Sequence, residues 1–99
     1  MLKHIVLFKL NEMEADEKTL ALNKMKEMLL GLEAVIDELK FIEVGLNHEL
    51  NSTNHDLSLI TEFNSLDDLK AYAVHPEHVK VVDYVKTIAQ ERACVDYEY

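Results

Sequence analysis

Residues 3–10 read KHIVLFKL, a run dense in β-branched and aromatic side chains and too short for a helix, which predicts a β-strand. Side chains alternate across a strand, so His4, Val6, Phe8 and Leu10 share one face and Lys3, Ile5, Leu7 and Lys9 the other. Both faces are apolar at the middle. The rest of the chain must therefore supply cover for two sides of a sheet.

Downstream, the period changes from about Glu14. Leu22, Met25, Met28, Leu29 and Leu32 recur at three- and four-residue steps, with Glu17, Lys18, Lys24 and Glu27 largely filling the opposite side. That spacing predicts an amphipathic helix, and Gly31 suits a C-terminal cap. Residues 39–46 return to strand character, and the polar stretch 47–55, with Asn51, Ser52 and Asn54, reads as a hairpin connection to a third strand over 57–63. Ser65 followed by Asp68 marks a helix start, the serine capping and the acid favouring the positive end. The helix carries Leu66, Leu69 and Ala73. It must break at His75-Pro76, because proline disfavours helix in the preceding residue yet suits the first position of a new one. Val79, Val82, Val85 and Ile88 continue as that second piece. Residues 92–99, RACVDYEY, close the chain as a strand, with Ala93, Val95, Tyr97 and Tyr99 on one side and Cys94, Asp96 and Glu98 on the other.

The order βαββαβ, without linker or repeat, predicts one α+β domain over residues 1–99. Its architecture is a ferredoxin-like antiparallel sheet with helices on one face. The more apolar side chains, Val6, Phe8, Leu57, Leu59, Phe63, Val95 and Tyr97, are assigned to the helix-covered face. Ile5, Leu7, Ile60 and Cys94 then sit at the centre of the other face, with Lys3, Lys9, Glu62, Asp96 and Glu98 near its periphery. An apolar centre rimmed by charge is interface anatomy. A two-fold homodimer through the sheet faces, giving a dimeric α/β barrel, is the expected partner arrangement.

Composition narrows the function classes. Nineteen acidic against ten basic residues give a formal charge of −9, which excludes a phosphate-rich nucleic-acid partner and disfavours anionic membranes. Cys94 is the single cysteine, so no internal disulfide or metal-type cysteine pair exists and a reducing compartment is expected. The N-terminal run is broken by Lys9 and carries no small-residue cleavage site. No apolar run approaches the roughly 20 residues needed to span a bilayer. A cytoplasmic protein is expected.

KHIVLFKL, the segment Glu43-Val44-Gly45-Leu46-Asn47, the stretch LITEFNSLDDLKAYAVHPEHVKV and the acidic-aromatic closing strand together resemble the stress-responsive A/B barrel domains. The likeness covers nearly the whole chain, and the cluster Tyr72, His75, Pro76, His78, Val79 is its most specific part. The resemblance implies a homodimer through the sheets but no single chemistry. Members include stress-associated plant proteins, bacterial proteins of unknown role and cofactor-independent polyketide cyclases. In the cyclase branch a tyrosine and a histidine matching Tyr72 and His78 serve as an acid/base pair beside a first-strand histidine matching His4. By approximate alignment that branch also has a first-helix tyrosine where this chain offers Lys26 or a methionine, and a third-strand histidine where it has Leu57.

Two readings of the site follow. One is a dimer of undefined biochemical role that binds a small apolar molecule between sheet and helices, with His75, Phe8, Leu57 and Leu59 at the ligand. The other is a cofactor-free enzyme in which the His78 imidazole takes a proton near neutral pH and Tyr72 steadies an oxyanion, with His4 alongside. A monooxygenase-like barrel is a further alternative, against which the chain has no tryptophan. No cofactor is expected. No metal is expected either, since His75-x-x-His78 would need further ligands such as His4 and Glu77 and has proline in its spacing. Gly31 and Gly45 alone cannot build a phosphate loop, and Cys94 beside acids is a poor nucleophile.

Overall fold

A computed structural model of the chain describes residues 1–49 and 53–99. The elements are β1 (Leu2–Leu10), α1 (Ala15–Leu30) continued by a 3₁₀ turn (Gly31–Ala34), β2 (Phe41–Leu46), β3 (Leu57–Phe63), α2 (Leu66–Val74), α3 (Pro76–Ile88) and β4 (Ala89–Glu98). The predicted order holds, and β3 has its predicted bounds. The tip of the 47–55 connection, including Asn51 and Ser52, lies outside the described residues.

The strands form one antiparallel sheet in the order β2-β3-β1-β4, the ferredoxin-like arrangement. The apolar strands β1 and β3 take the centre, as their two-sided hydrophobicity demands. On the helix side Leu2, Val6, Phe8, Leu57, Leu59 and Phe63 are buried against Leu22, Met25 and Leu29 of α1, Leu69 and Tyr72 of α2, and Val81 and Val85 of α3. Val79 faces solvent instead and Val81 is buried in its place, while Val85 is buried and Ile88 packs on the core as predicted. Gly31 ends α1 with a right-handed φ of −65° and the chain continues into the 3₁₀ turn, so no left-handed cap forms.

The register of β4 overturns one predicted face. His4 pairs with Asp96, Ile5 with Val95 and Val6 with Cys94, and directly opposed residues put their side chains on the same side of a sheet. Cys94 and Asp96 therefore lie on the helix side with His4. Val95 and Tyr97 lie on the open side with Ile5 and Lys3. The physical reason is that β4 is an edge strand the helices scarcely cover: every residue from Gln90 to Glu98 is exposed in the single chain. Its apolar set sits on the open face. The strand also starts three residues before the predicted position, because α3 passes into it at Ala89 without an intervening turn.

A buried carboxylate ties the far end of the sheet. Asp56, 1% exposed, accepts a 2.9 Å hydrogen bond from the Leu10 backbone N–H and lies 3.7 Å from Lys18 Nζ of α1. Its own N–H donates to the Phe8 carbonyl at 2.8 Å.

Candidate functional site

The layer between sheet and helices is not packed solid. Along the β4 edge it holds a chamber of about 500 Å³, within the roughly 300–1,000 Å³ usual for small-molecule sites. Val6, Phe8 and Leu59 of the sheet and Leu69, Val81 and Val85 of the helices line it with hydrocarbon. His4, Tyr72 and His78 all border it, and the exposed Lys86, Gln90, Glu91 and Arg92 mark its rim.

The polar wall comes from the break between α2 and α3. Ser65 starts α2, its hydroxyl accepting from the Asp68 N–H at 3.2 Å, and this sets the phase that turns Leu69 and Tyr72 inward. Pro76 holds His75 in an extended conformation (φ −62°, ψ 133°), which ends α2 and caps α3. The His75 Nδ1 accepts from the Glu77 N–H at 3.1 Å. His75 thus serves as a cap rather than a chamber wall. Two residues into the new helix, His78 folds its ring over Tyr72, with centroids 4.2 Å apart and planes at 39°. Phe63 packs on Tyr72 at 5.0 Å.

The protonation of this wall follows from its contacts. His78 Nδ1 lies 3.0 Å from the Ala73 carbonyl oxygen, which can only accept, so Nδ1 carries the proton and Nε2 is left as an acceptor. Burial holds the His78 pKa below the usual histidine value, with the Ala73 bond opposing it. The ring is neutral at pH 7. Tyr72 is 1% exposed, and burial pushes its pKa up to about 12. Its hydroxyl has no hydrogen-bond partner among the described residues. The chamber wall therefore includes a tyrosine whose hydroxyl is protonated, buried and without a partner among the described residues, and a histidine whose Nε2 is unprotonated. A ligand hydroxyl can accept from Tyr72 and donate to His78 Nε2, whereas a carbonyl oxygen can only accept from Tyr72.

His4 borders the chamber, but its Nδ1 is held by Asp96 Oδ1. Cys94 Sγ lies 3.6 Å from His4 Nδ1 and 3.5 Å from Asp96 Oδ1. Burial first, then the Asp96 charge, raises the Cys94 thiol pKa, as expected of a cysteine beside acids.

Of the residues predicted to touch a ligand, Phe8 and Leu59 line the chamber, whereas His75 caps a helix and Leu57, at the start of β3, is buried in the core away from it. His4, Tyr72 and His78 are brought together. Sequence reasoning missed the rim residues, because β4 was expected to begin at 92, and missed Asp56, which reads as one more loop acid. His4 with Cys94 and Asp96 was hidden by the inverted face of β4.

A protein-family model described as "Stress responsive A/B Barrel Domain" matches residues 2–99. An Arabidopsis thaliana stress-response A/B barrel domain-containing protein, DABB1, is 32% identical over 98% of this chain, and the chain spans 46% of that relative's length. It spans 36% of a second stress-response A/B barrel domain-containing protein from the same plant, at 33% identity. A solved structure from Bacteroides fragilis NCTC 9343, described as a dimeric protein of unknown function with a ferredoxin-like fold, is 43% identical. It superposes with a TM-score of 0.91, covering 99% of this chain and 95% of that one.

Proposed function

The chain belongs to the stress-responsive A/B barrel domain family, and from that premise we propose that it is a homodimer in which each chain holds a small, largely apolar molecule bearing one hydroxyl or carbonyl group. The observation that carries the ligand reading is the Tyr72 hydroxyl, buried at the chamber wall without a partner among the described residues. Native structures rarely leave such a group unmet, because its desolvation costs about 1–3 kcal/mol. A hydroxyl or carbonyl oxygen on the ligand could accept from it, and a hydroxyl could in addition donate to His78 Nε2.

The homodimer reading is supported by the open sheet face and by the dimeric relative from Bacteroides fragilis. Leu7 is 39% exposed, Val95 53% and Tyr97 42%, and they join Ile5 and Ile60 in one apolar band across the three strands β3, β1 and β4. Lys3, Lys9, Glu43 and Glu62 flank the band on the same face, giving a rim of both signs for a two-fold partner. Cys94, on the other side of the sheet, leaves the interface, and Val95 and Tyr97 enter it.

The test uses 1-naphthol, a fluorescent apolar body with one hydroxyl, and naphthalene, the same body without it. Saturable binding of 1-naphthol, tighter than that of naphthalene, is expected for the purified protein. Equal binding of the two would remove the polar grip, and no saturable binding of either would remove the ligand reading.

A further inference from the structure

His4, Cys94 and Asp96 form a second constellation that the ligand reading does not use, and it is built on regular structure. Asp96 stands directly across from His4, and Cys94 is two residues earlier on β4. All three side chains therefore emerge on the same side of two hydrogen-bonded strands. One nitrogen, one sulfur and one oxygen donor lie within 4.8 Å of one another.

The spacing can be compared with a metal's requirement. Zinc takes imidazole nitrogen at about 2.0–2.1 Å, thiolate sulfur at about 2.3 Å and carboxylate oxygen at about 2.0–2.2 Å, in a tetrahedron. Those bonds place the sulfur about 3.5 Å from both the nitrogen and the oxygen. The distances here are 3.6 Å from Cys94 Sγ to His4 Nδ1 and 3.5 Å to Asp96 Oδ1. The third edge is the His4–Asp96 contact, a direct hydrogen bond, which must open to let an ion in. The Asp96 side chain is 40% exposed and can swing outward to do so.

We propose that His4 Nδ1, Cys94 Sγ and Asp96 Oδ1 are the three protein ligands of a site for one divalent ion of the zinc type, with the fourth position left to water or another small donor. A neutral imidazole, a thiolate and a carboxylate together neutralise a doubly charged ion, so the occupied site carries no excess charge. The mixed nitrogen, sulfur and oxygen set selects a borderline-soft ion over magnesium or calcium, which take oxygen donors. The chain's net charge of −9 attracts such an ion from a distance. Arg92, two residues before Cys94 on the same face of the strand, is exposed and its side chain hydrogen-bonds Cys94, a contact that an incoming ion must displace.

Cobalt(II) titration of chelator-treated protein tests the site without any ligand for the chamber. Cys94 is the single cysteine, so a thiolate-to-cobalt charge-transfer band in the near ultraviolet reports on it alone. The expected result is a band that saturates at one ion per chain, with visible absorption of tetrahedral intensity, and that zinc abolishes by displacement. Cys94→Ser and Asp96→Asn should each lose the stoichiometric site. Cys94 is exposed and serine is close to it in size, so the metal-free Cys94→Ser variant should unfold at the same denaturant concentration as the parent, whereas Asp96→Asn also removes the charge from the His4 contact. Absence of the band at saturating cobalt would overturn the proposal. So would a band that saturates at half an ion per chain, which means two chains sharing one ion, or an Asp96→Asn variant that binds as tightly as the parent.

Discussion

Replacing Tyr72 by Phe should stabilise the ligand-free protein while weakening its grip on a hydroxylated ligand. The ring is 1% exposed and packs on Phe63 and His78, contacts that phenylalanine keeps. Only the hydroxyl goes, and among the described residues it has no partner to lose. An unsatisfied buried polar group costs about 1–3 kcal/mol. Taking the lower end, because a chamber borders the group, gives a gain of about 1 kcal/mol. In a domain of this size that is a rise of roughly 4–8 °C in Tm. Affinity for 1-naphthol should fall by the net worth of one hydrogen bond, about 0.5–1.5 kcal/mol or roughly 2- to 13-fold, whereas naphthalene should bind unchanged. Urea unfolding at fixed protein concentration, since a dimer's stability depends on it, and fluorescence titration read the two effects. A loss of about 1 kcal/mol or more on removing the hydroxyl would refute the reasoning, because the group would then have a partner in solution.

Leu7→Asp should convert the dimer to monomers: a two-fold interface would bury two unpaired carboxylates, at roughly 3 kcal/mol or more, at least a hundredfold in dissociation constant. Sedimentation equilibrium reads this, and an unchanged mass would contradict the open-face interface. Because burial lowers the pKa of His78 in the folded chain, the unfolded chain binds more protons between that lowered value and about 6.5. His78 therefore costs no stability above that window, and stability falls as pH drops through it. His78→Gln should flatten that slope in thermal melts between pH 7 and 5, and an identical slope would contradict it. Asp56→Ala should cost about 2–3 kcal/mol in urea unfolding, since it strands the buried Leu10 N–H that Asp56 accepts from. A cost under about 0.5 kcal/mol would mean the carboxylate is not the anchor.

Much of this architecture is legible in the sequence because local signals and burial agree. The alternation in 57–63, the Ser65-to-Asp68 cap and the His75-Pro76 break each fix an element by backbone chemistry alone. They also bring Tyr72 and His78 together, which is why that half of the site could be named in advance. The edge strand β4 is different. Period-two alternation sorts Ala93, Val95 and Tyr97 from Cys94 and Asp96, yet it does not say which set faces the helices. The rule that the greasier set turns inward holds for β1 and β3, where helices lie overhead. It fails for β4, whose apolar set lies on the face that the helices leave open. That inversion hid the grouping of His4 with Cys94 and Asp96. Asp56 left no signal, since its role depends on Leu10 arriving opposite it from 46 residues earlier in the chain.

The grip on a ligand oxygen rests on the protonation of His78, which nitrogen-15 spectra of its imidazole observe directly. At pH 7 the account predicts a protonated Nδ1, an unprotonated Nε2, and an Nε2 resonance that moves when 1-naphthol binds but stays in place with naphthalene. A protonated Nε2, or a resonance indifferent to 1-naphthol at saturation, would contradict it.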